Sequence, residues 1–346
     1  MMQNTKVKKT GRGKRREWVL GVGLMAGLVG FVFRIPLSRM IGDKGVGFFA
    51  PAMEIFMVSS AMMCYGISKA VAILVKYRAK RDMYKSARKI YQSALVFTIL
   101  FSALMTLFVF FFSEFIAQTF ILEYRGYLAI AAIAPAILLS GLLGVMRGYL
   151  QGMGAMMPTI HSRLLEKFVM LVAGLLLAAA LFSYGEKVAA LLRNTEYAAA
   201  YGAMGASIGV SVACAIGILH IILIRLIYAG TFKQQLMNDT AKYVESNGQV
   251  ISTFFSAALP YMICALLYNI HYLVDQRVFN YAMNKQDKGG IRVAHWGVYY
   301  GKYSVVTGIV AIICTMSAVL VIPRIAQMYD KQEYGEVKYR IGSAIH

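Results

Sequence analysis

Hydrophobic residues fall in eight long blocks separated by short polar stretches: Trp18–Leu37, Val46–Val75, Ser93–Phe112, Tyr127–Val145, Pro158–Phe182, Tyr201–Ile227, Val250–Phe279 and Trp296–Ala326. An α-helix rises about 1.5 Å per residue, so about 20 apolar residues cross the hydrocarbon core of a bilayer. The pattern predicts an all-α, polytopic membrane protein with about eight transmembrane helices. The third, fourth and sixth blocks are nearly charge-free over a bilayer's width, whereas the others carry ionisable residues. Pro36, Pro51, Pro135, Pro260 and Pro323 fall in or beside these blocks. Each frees a backbone carbonyl, so the helices are expected to face protein or a wet cavity at those points. Gly23 with Gly27, Gly144 with Gly148, Gly148 with Gly152 and Gly205 with Gly209 are spaced for close helix packing.

Composition agrees. Of the 346 residues, 59% are hydrophobic and 15% charged. A soluble domain carries about 25% charged residues, so an ordinary cytosolic enzyme is excluded. The net charge of +20 would point to nucleic acid in a soluble chain. Here basic loops that fix topology explain it better, and no nucleic-acid partner is expected. With the amino terminus inside, 24 Lys and Arg fall on the cytoplasmic side and 9 outside. That bias predicts a cell-membrane protein with both termini cytoplasmic. The four cysteines sit in apolar runs without CxxC spacing, so they read as buried free thiols.

The blocks suggest a division of the chain. Residues 1–17 form a basic cytoplasmic tail, 18–228 a six-helix transmembrane lobe, 229–249 a cytoplasmic linker, and 250–346 the first two helices of an incomplete second lobe. A weak internal repeat supports it. Tyr84, Ala87, Arg88, Ser93 and Ala94 recur as Tyr334, Val337, Lys338, Ser343 and Ala344, offset by 250 residues. Paired lobes around a central site are a transporter design.

Catalytic signatures are missing: there is no HExxH, GxSxG or CxxC, and the five histidines lack metal-ligand spacing. No enzyme activity, cofactor or metal is expected. The chemistry-bearing residues are ionisable groups at membrane depth, which tend to face cavities or pair with one another. Arg34 and Arg39, flanking Pro36, can grip phosphate through paired donors. With Lys69 and Arg277 they form the candidate substrate-cavity set. Glu54, Glu166 and Asp275 are candidates for ion pairing or for binding a coupling ion. Glu166 also complements a helix N-terminus, and Arg163 and Lys167, one turn apart, read as interfacial. Basic groups at depth favour an anionic cargo, while Glu54 and Asp275 keep a cation-coupled multidrug exporter as the alternative.

Several stretches resemble one family. Arg34-Ile35-Pro36-Leu37-Ser38-Arg39-Met40-Ile41-Gly42-Asp43-Lys44-Gly45-Val46-Gly47 resembles the opening of oligosaccharide flippases of the stage V sporulation protein B type. Gly66-Ile67-Ser68-Lys69, Arg147-Gly148-Tyr149-Leu150-Gln151-Gly152 followed by Pro158-Thr159, and Ile322-Pro323-Arg324 also match. These proteins are similar to lipid II flippases and, more distantly, to multidrug exporters of the same superfamily. The resemblance implies two six-helix lobes, an amphipathic central cavity, alternating access and a polyprenyl-linked saccharide as cargo. It further implies first-helix arginines in the cavity, cell-wall synthesis proteins as candidate partners, and roles in polysaccharide or peptidoglycan assembly and sporulation. Family members are longer, so the chain reads as C-terminally truncated. A non-transporting membrane interaction protein is the remaining alternative.

Overall fold

The computed structural model describes residues 21, 25–237, 239, 246–330 and 332–345. The basic tail, the start of the first block and parts of the linker lie outside the described residues. Among the described residues the chain is helical and has no strand, which makes it an all-α polytopic membrane protein. Seven continuous helical stretches there are long and apolar enough to cross a membrane.

The first stretch, Met25–Ala79, has 55 residues. A straight helix of that length would run about 80 Å, far beyond a bilayer core of about 30 Å. It does not run straight. Gly42 has φ 73° and ψ 172°, outside the helical region. The rings of Phe33 and Phe49 lie 6.0 Å apart, although 16 residues of helix would separate them by about 24 Å. The chain therefore folds back at Gly42, where a residue with a Cβ would be strained. This gives two antiparallel helices, α1 (residues 25–41) and α2 (residues 43–79). Together with the six other stretches the hairpin supplies eight crossings. α1 runs through Pro36 without a break, with only a turn at Phe33. α2 contains a π-helical segment at Ala61–Ile67.

The remaining long helices are α3 (Tyr84–Phe111), α4 (Tyr127–Gly152), α5 (Met156–Leu191) and α6 (Glu196–Ile227). A short helix, α7 (Ala229–Met237), precedes α8 (Asn247–Lys285), α9 (residues 289–330) and α10 (Tyr334–Ile345). The connections at 42, 112–126, 192–195 and 286–288 gather at one end of the bundle, here called the distal end. Those at 80–83, 153–155, 228–237 and 332–333 gather at the proximal end.

Burial follows the inverted logic of lipid. On α3, Leu100, Leu104, Phe108 and Phe111 face outward, while Thr98 and Ser102 are fully buried. Lipid offers no hydrophobic drive between helices, so close packing of small residues must hold them together. α4 presents Gly144 to the Cys64 backbone, Gly148 to Ser68 and Gly152 to Val75. α6 presents Gly205 to the Leu177 carbonyl of α5 and Gly209 to Gly174. The packing expected of those two glycine series is thus observed. Cysteine burial is only half as expected: Cys64 and Cys214 are buried, but Cys264 and Cys314 are exposed. An apolar run in a membrane helix has a lipid side or a cavity side as well as a protein side.

Candidate functional site

A cavity of about 880 Å³ opens between α1, α2, α4, α5 and α8. Its apolar wall includes Phe56, Met57, Ala61, Ile160 and Ala265, and its polar lining is Ser60, Tyr65, Arg147, Arg163, Glu166, Lys167, Tyr268 and Asn269. These positions run from mid-bundle toward the proximal end.

Arg147 is the deepest of these charges. Its side chain is only 3% exposed and meets Glu166 at 2.8 Å. Nε and Nη2 also donate to Ser162 Oγ, at 3.2 and 2.7 Å. Ser162 in turn donates to the Gly217 carbonyl, at 3.4 Å. A buried guanidinium must be neutralised and hydrogen-bonded, and this network from α5 and α6 does both. Arg163 and Lys167 differ. Both are half-buried and have no carboxylate partner among the described residues. The Arg163 guanidinium lies 5.3 Å from the Tyr65 ring across the cavity. With Arg147 and Glu166 cancelling, Arg163 and Lys167 leave the cavity with two unpaired positive charges.

The residues singled out from the sequence are scattered. Of the candidate substrate-cavity and ion-pairing residues Glu166 alone lines this cavity, together with Arg163 and Lys167, which the sequence placed at the interface. Arg34 instead clasps α1 to α9, donating to Ser304 Oγ at 2.8 Å and to the Tyr300 carbonyl at 3.4 Å, with its guanidinium 3.9 Å from the Tyr300 ring centre. Arg39 is exposed in a smaller recess of about 320 Å³ beside Lys302. Lys69 and Asp275 are exposed. Arg277 is half-buried, 5.9 Å from the Phe120 ring. Glu54 is 3% exposed. In the orientation that satisfies both neighbours, the Gln276 amide donates to Glu54 Oε2 at 2.9 Å and accepts from Trp296 Nε1 at 3.3 Å.

Sequence reasoning passed over Arg147 because a charge ended the fourth apolar block at Val145, which put Arg147 in a loop. The helix in fact runs on to Gly152. The signal was available: Gly144, Gly148 and Gly152 continue one helical face across Arg147.

The distal end is closed. Gly47 abuts the Val293 carbonyl and Gly297 abuts the Asp43 carbonyl so tightly that neither leaves room for a Cβ. Lys302 pairs with Asp43 at 2.8 Å. Arg292, 4% exposed, donates to the Leu122 carbonyl at 2.7 Å and to Asn284 Oδ1, and Asn280 donates to the Phe120 carbonyl at 2.6 Å.

The profile of the polysaccharide biosynthesis protein family matches residues 16–329. The chain belongs to that family. It is 23% identical over 334 residues to stage V sporulation protein B of Bacillus subtilis, covering 94% of this chain and 60% of that protein. It is 24% identical over 284 residues to the lipid II flippase MurJ of Bacillus subtilis, covering 78% of this chain and 49% of that protein. The chain thus spans about half to three-fifths of these relatives' length. Among solved structures it resembles an inward-facing multidrug resistance MATE family transporter of the MOP superfamily. The TM-score is 0.61 at 13% identity, covering 94% of this chain and 66% of that one. The eukaryotic MATE transporter AtDTX14 gives a TM-score of 0.55 at 14% identity, covering 96% and 78%. At these identities the likeness is one of fold.

Proposed function

We propose that the chain acts in moving a polyprenyl-linked saccharide across the cell membrane by alternating access, without making or breaking a bond. The observation that carries this reading is the amphipathic cavity with a surplus of positive charge. An anionic head group would sit there while an apolar tail stays in lipid. The family and its flippase relatives support it. On this reading residues 18–228 are the first lobe, 229–249 a linker and 250–346 the start of a second lobe. The Lys- and Arg-rich proximal end, toward which the cavity runs, is cytoplasmic, as are both termini. Cell-wall synthesis proteins would supply or consume the cargo.

The test is reconstitution in liposomes with a fluorescent polyprenyl diphosphosaccharide, reading its accessibility to a membrane-impermeant quencher. Wild-type protein should equilibrate the probe between leaflets, and an Arg163→Gln/Lys167→Gln variant should not. Equal rates in the two would sink the cavity role. A second reading, cation-coupled drug export, is favoured by Glu54, a buried carboxylate that accepts from the neutral Gln276 amide of α8. Export of cationic dyes that is lost in Glu54→Gln would select it.

A further inference from the structure

We propose that the proximal ends of α3 and α6 bind the head group of an anionic phospholipid, with its phosphate held between Arg88 and Arg225. The site lies apart from the central cavity, shares none of its lining residues, and does not depend on the flippase reading. α3 and α6 each pack on α4, and Arg225, near the end of α6, reaches across to donate to the Tyr91 hydroxyl of α3. An aromatic floor lies beneath it. The Arg225 guanidinium sits 4.7 Å from the Tyr91 ring centre and 5.7 Å from that of Tyr149 on α4, and the two ring centres are 4.6 Å apart. Both rings are buried, so the guanidinium is held in place where the helices end. Phe232 of α7 closes the far side, 6.1 Å from the Tyr149 ring.

Basic residues alone are expected at the cytoplasmic ends of any membrane protein. Two observations set this cluster apart. Neither Arg88 nor Arg225 has a carboxylate partner among the described residues. A guanidinium carries five N–H donors, and the Tyr91 hydroxyl takes one from Arg225. The charges also oppose the helix dipole. α3 begins without an acidic residue in its first turn and without a side-chain cap, yet Lys85 and Arg88 add positive charge where the dipole is already positive. Asp239 of the linker answers part of this, accepting from the Lys85 backbone N–H at 2.6 Å. A phosphate diester would bring one more negative charge and two oxygens that match paired guanidinium donors. The lipid tails have a place as well. Leu95 and Ile99 continue the Arg88 face of α3 into the membrane, and Ile222 lies one turn below Arg225. Ile99 and Ile222 are exposed, so acyl chains can lie along them. A choline head group neutralises its own phosphate, so a head group with net negative charge is favoured.

The experiment places the whole chain in neutral detergent micelles and adds dioleoylphosphatidylglycerol, dioleoylphosphatidylcholine or the soluble head group glycerophosphoglycerol. Native mass spectrometry reads the first lipid retained, and melting curves follow stability. Wild-type protein should retain phosphatidylglycerol over phosphatidylcholine by roughly tenfold, the worth of one charge-assisted hydrogen bond. Arg88→Gln/Arg225→Gln should bring that ratio close to unity. Lys285→Gln/Lys288→Gln, which removes the same charge from exposed positions at the distal end, should leave it unchanged. Arg88 is exposed, so Arg88→Gln alone should fold and should lower the ratio by itself, whatever the double variant does. A ratio that survives loss of both arginines, or falls equally in the distal variant, overturns the site. Equal losses of melting temperature in Arg225→Gln and Tyr91→Phe, with the ratio unchanged, also overturn it and make Arg225 a strut between α6 and α3. Glycerophosphoglycerol that displaces the lipid at equal concentration would show that the acyl chains contribute nothing, and so would overturn the lipid assignment in favour of a soluble phosphate diester.

Discussion

Glu166→Gln should destabilise the protein by about 3 kcal/mol, toward the lower end of the range for breaking a buried ion pair. The gross attraction at 2.8 Å is about 6 kcal/mol with an effective dielectric constant of 20. Most of that attraction offsets the desolvation of Arg147, whose side chain is only 3% exposed. Removing the carboxylate leaves that desolvation unopposed, while the two bonds to Ser162 Oγ persist. Glu166 is 16% exposed to the cavity, so water there moderates the cost. Arg147→Gln should cost a similar amount, because it strands the carboxylate. The double variant should cost clearly less than the sum, with a coupling of about 2 kcal/mol. The assay is reversible unfolding in mixed micelles, followed by tryptophan fluorescence for all four corners of the cycle. Additive single effects, or single effects below about 0.5 kcal/mol, would refute the buried-pair reasoning. The same variant separates stability from binding. Glu166→Gln raises the unpaired charge of the cavity by one and should tighten binding of an anionic probe even as it lowers stability.

Gly209→Leu should drive a side chain into the Gly174 backbone and separate α5 from α6, costing about 3 kcal/mol or more and lowering the yield of folded protein after extraction. Normal yield and melting would show that this contact is not needed. Reporter fusions ending at residues 44 and 82 should report opposite sides of the membrane, because the chain turns back at Gly42; the same side for both would refute the hairpin. Arg292→Met and Asn280→Ala should each loosen the distal end. In a chain whose four native cysteines are serine, a cysteine at Val46, fully buried here, should then react roughly tenfold faster with a membrane-impermeant maleimide. Unchanged labelling would show that the two side chains do not hold that end shut.

The eight crossings were legible because bilayer thickness imposes a length on each apolar block, and length survives in sequence. What happens between blocks was less legible. Two crossing blocks, Trp18–Leu37 and Val46–Val75, already required a reversal between them, but they did not place it at Gly42, where φ is 73° and beyond which Phe49 returns to Phe33. The charged residues were hardest to place. Arg34 lies inside an apolar block and Arg147 just after one, yet the first clasps α1 to α9 and the second lies in the cavity wall. Their fates depend on partners far away in sequence, Ser304 for Arg34 and Ser162 with Glu166 for Arg147. Arg163 and Lys167 were read as interfacial because their spacing is that of any solvated helix face. Facing Tyr65 across a cavity is a tertiary fact that spacing cannot encode.

Small residues hold the distal end of the bundle closed. At the distal end α2 and α9 approach through Gly47 and Gly297, so closely that a methyl group on either would strike a backbone carbonyl. Toward the proximal end the same α2 also meets α8 through a glycine, Gly66 of the π-helical segment against the Met262 backbone, while Tyr65, Cys264 and Tyr268 line the cavity. A π-helical segment carries one residue more per turn and shifts the register of every side chain beyond it. Alanine at position 297 should therefore act at the distal end alone. It should speed labelling of a cysteine at Val46 there and leave labelling of Cys264 from the cavity unchanged. Equal changes at both sites would mean that α8 and α9 move as one rigid piece, in which case the glycine contact sets the tilt of the pair rather than the closure of one end.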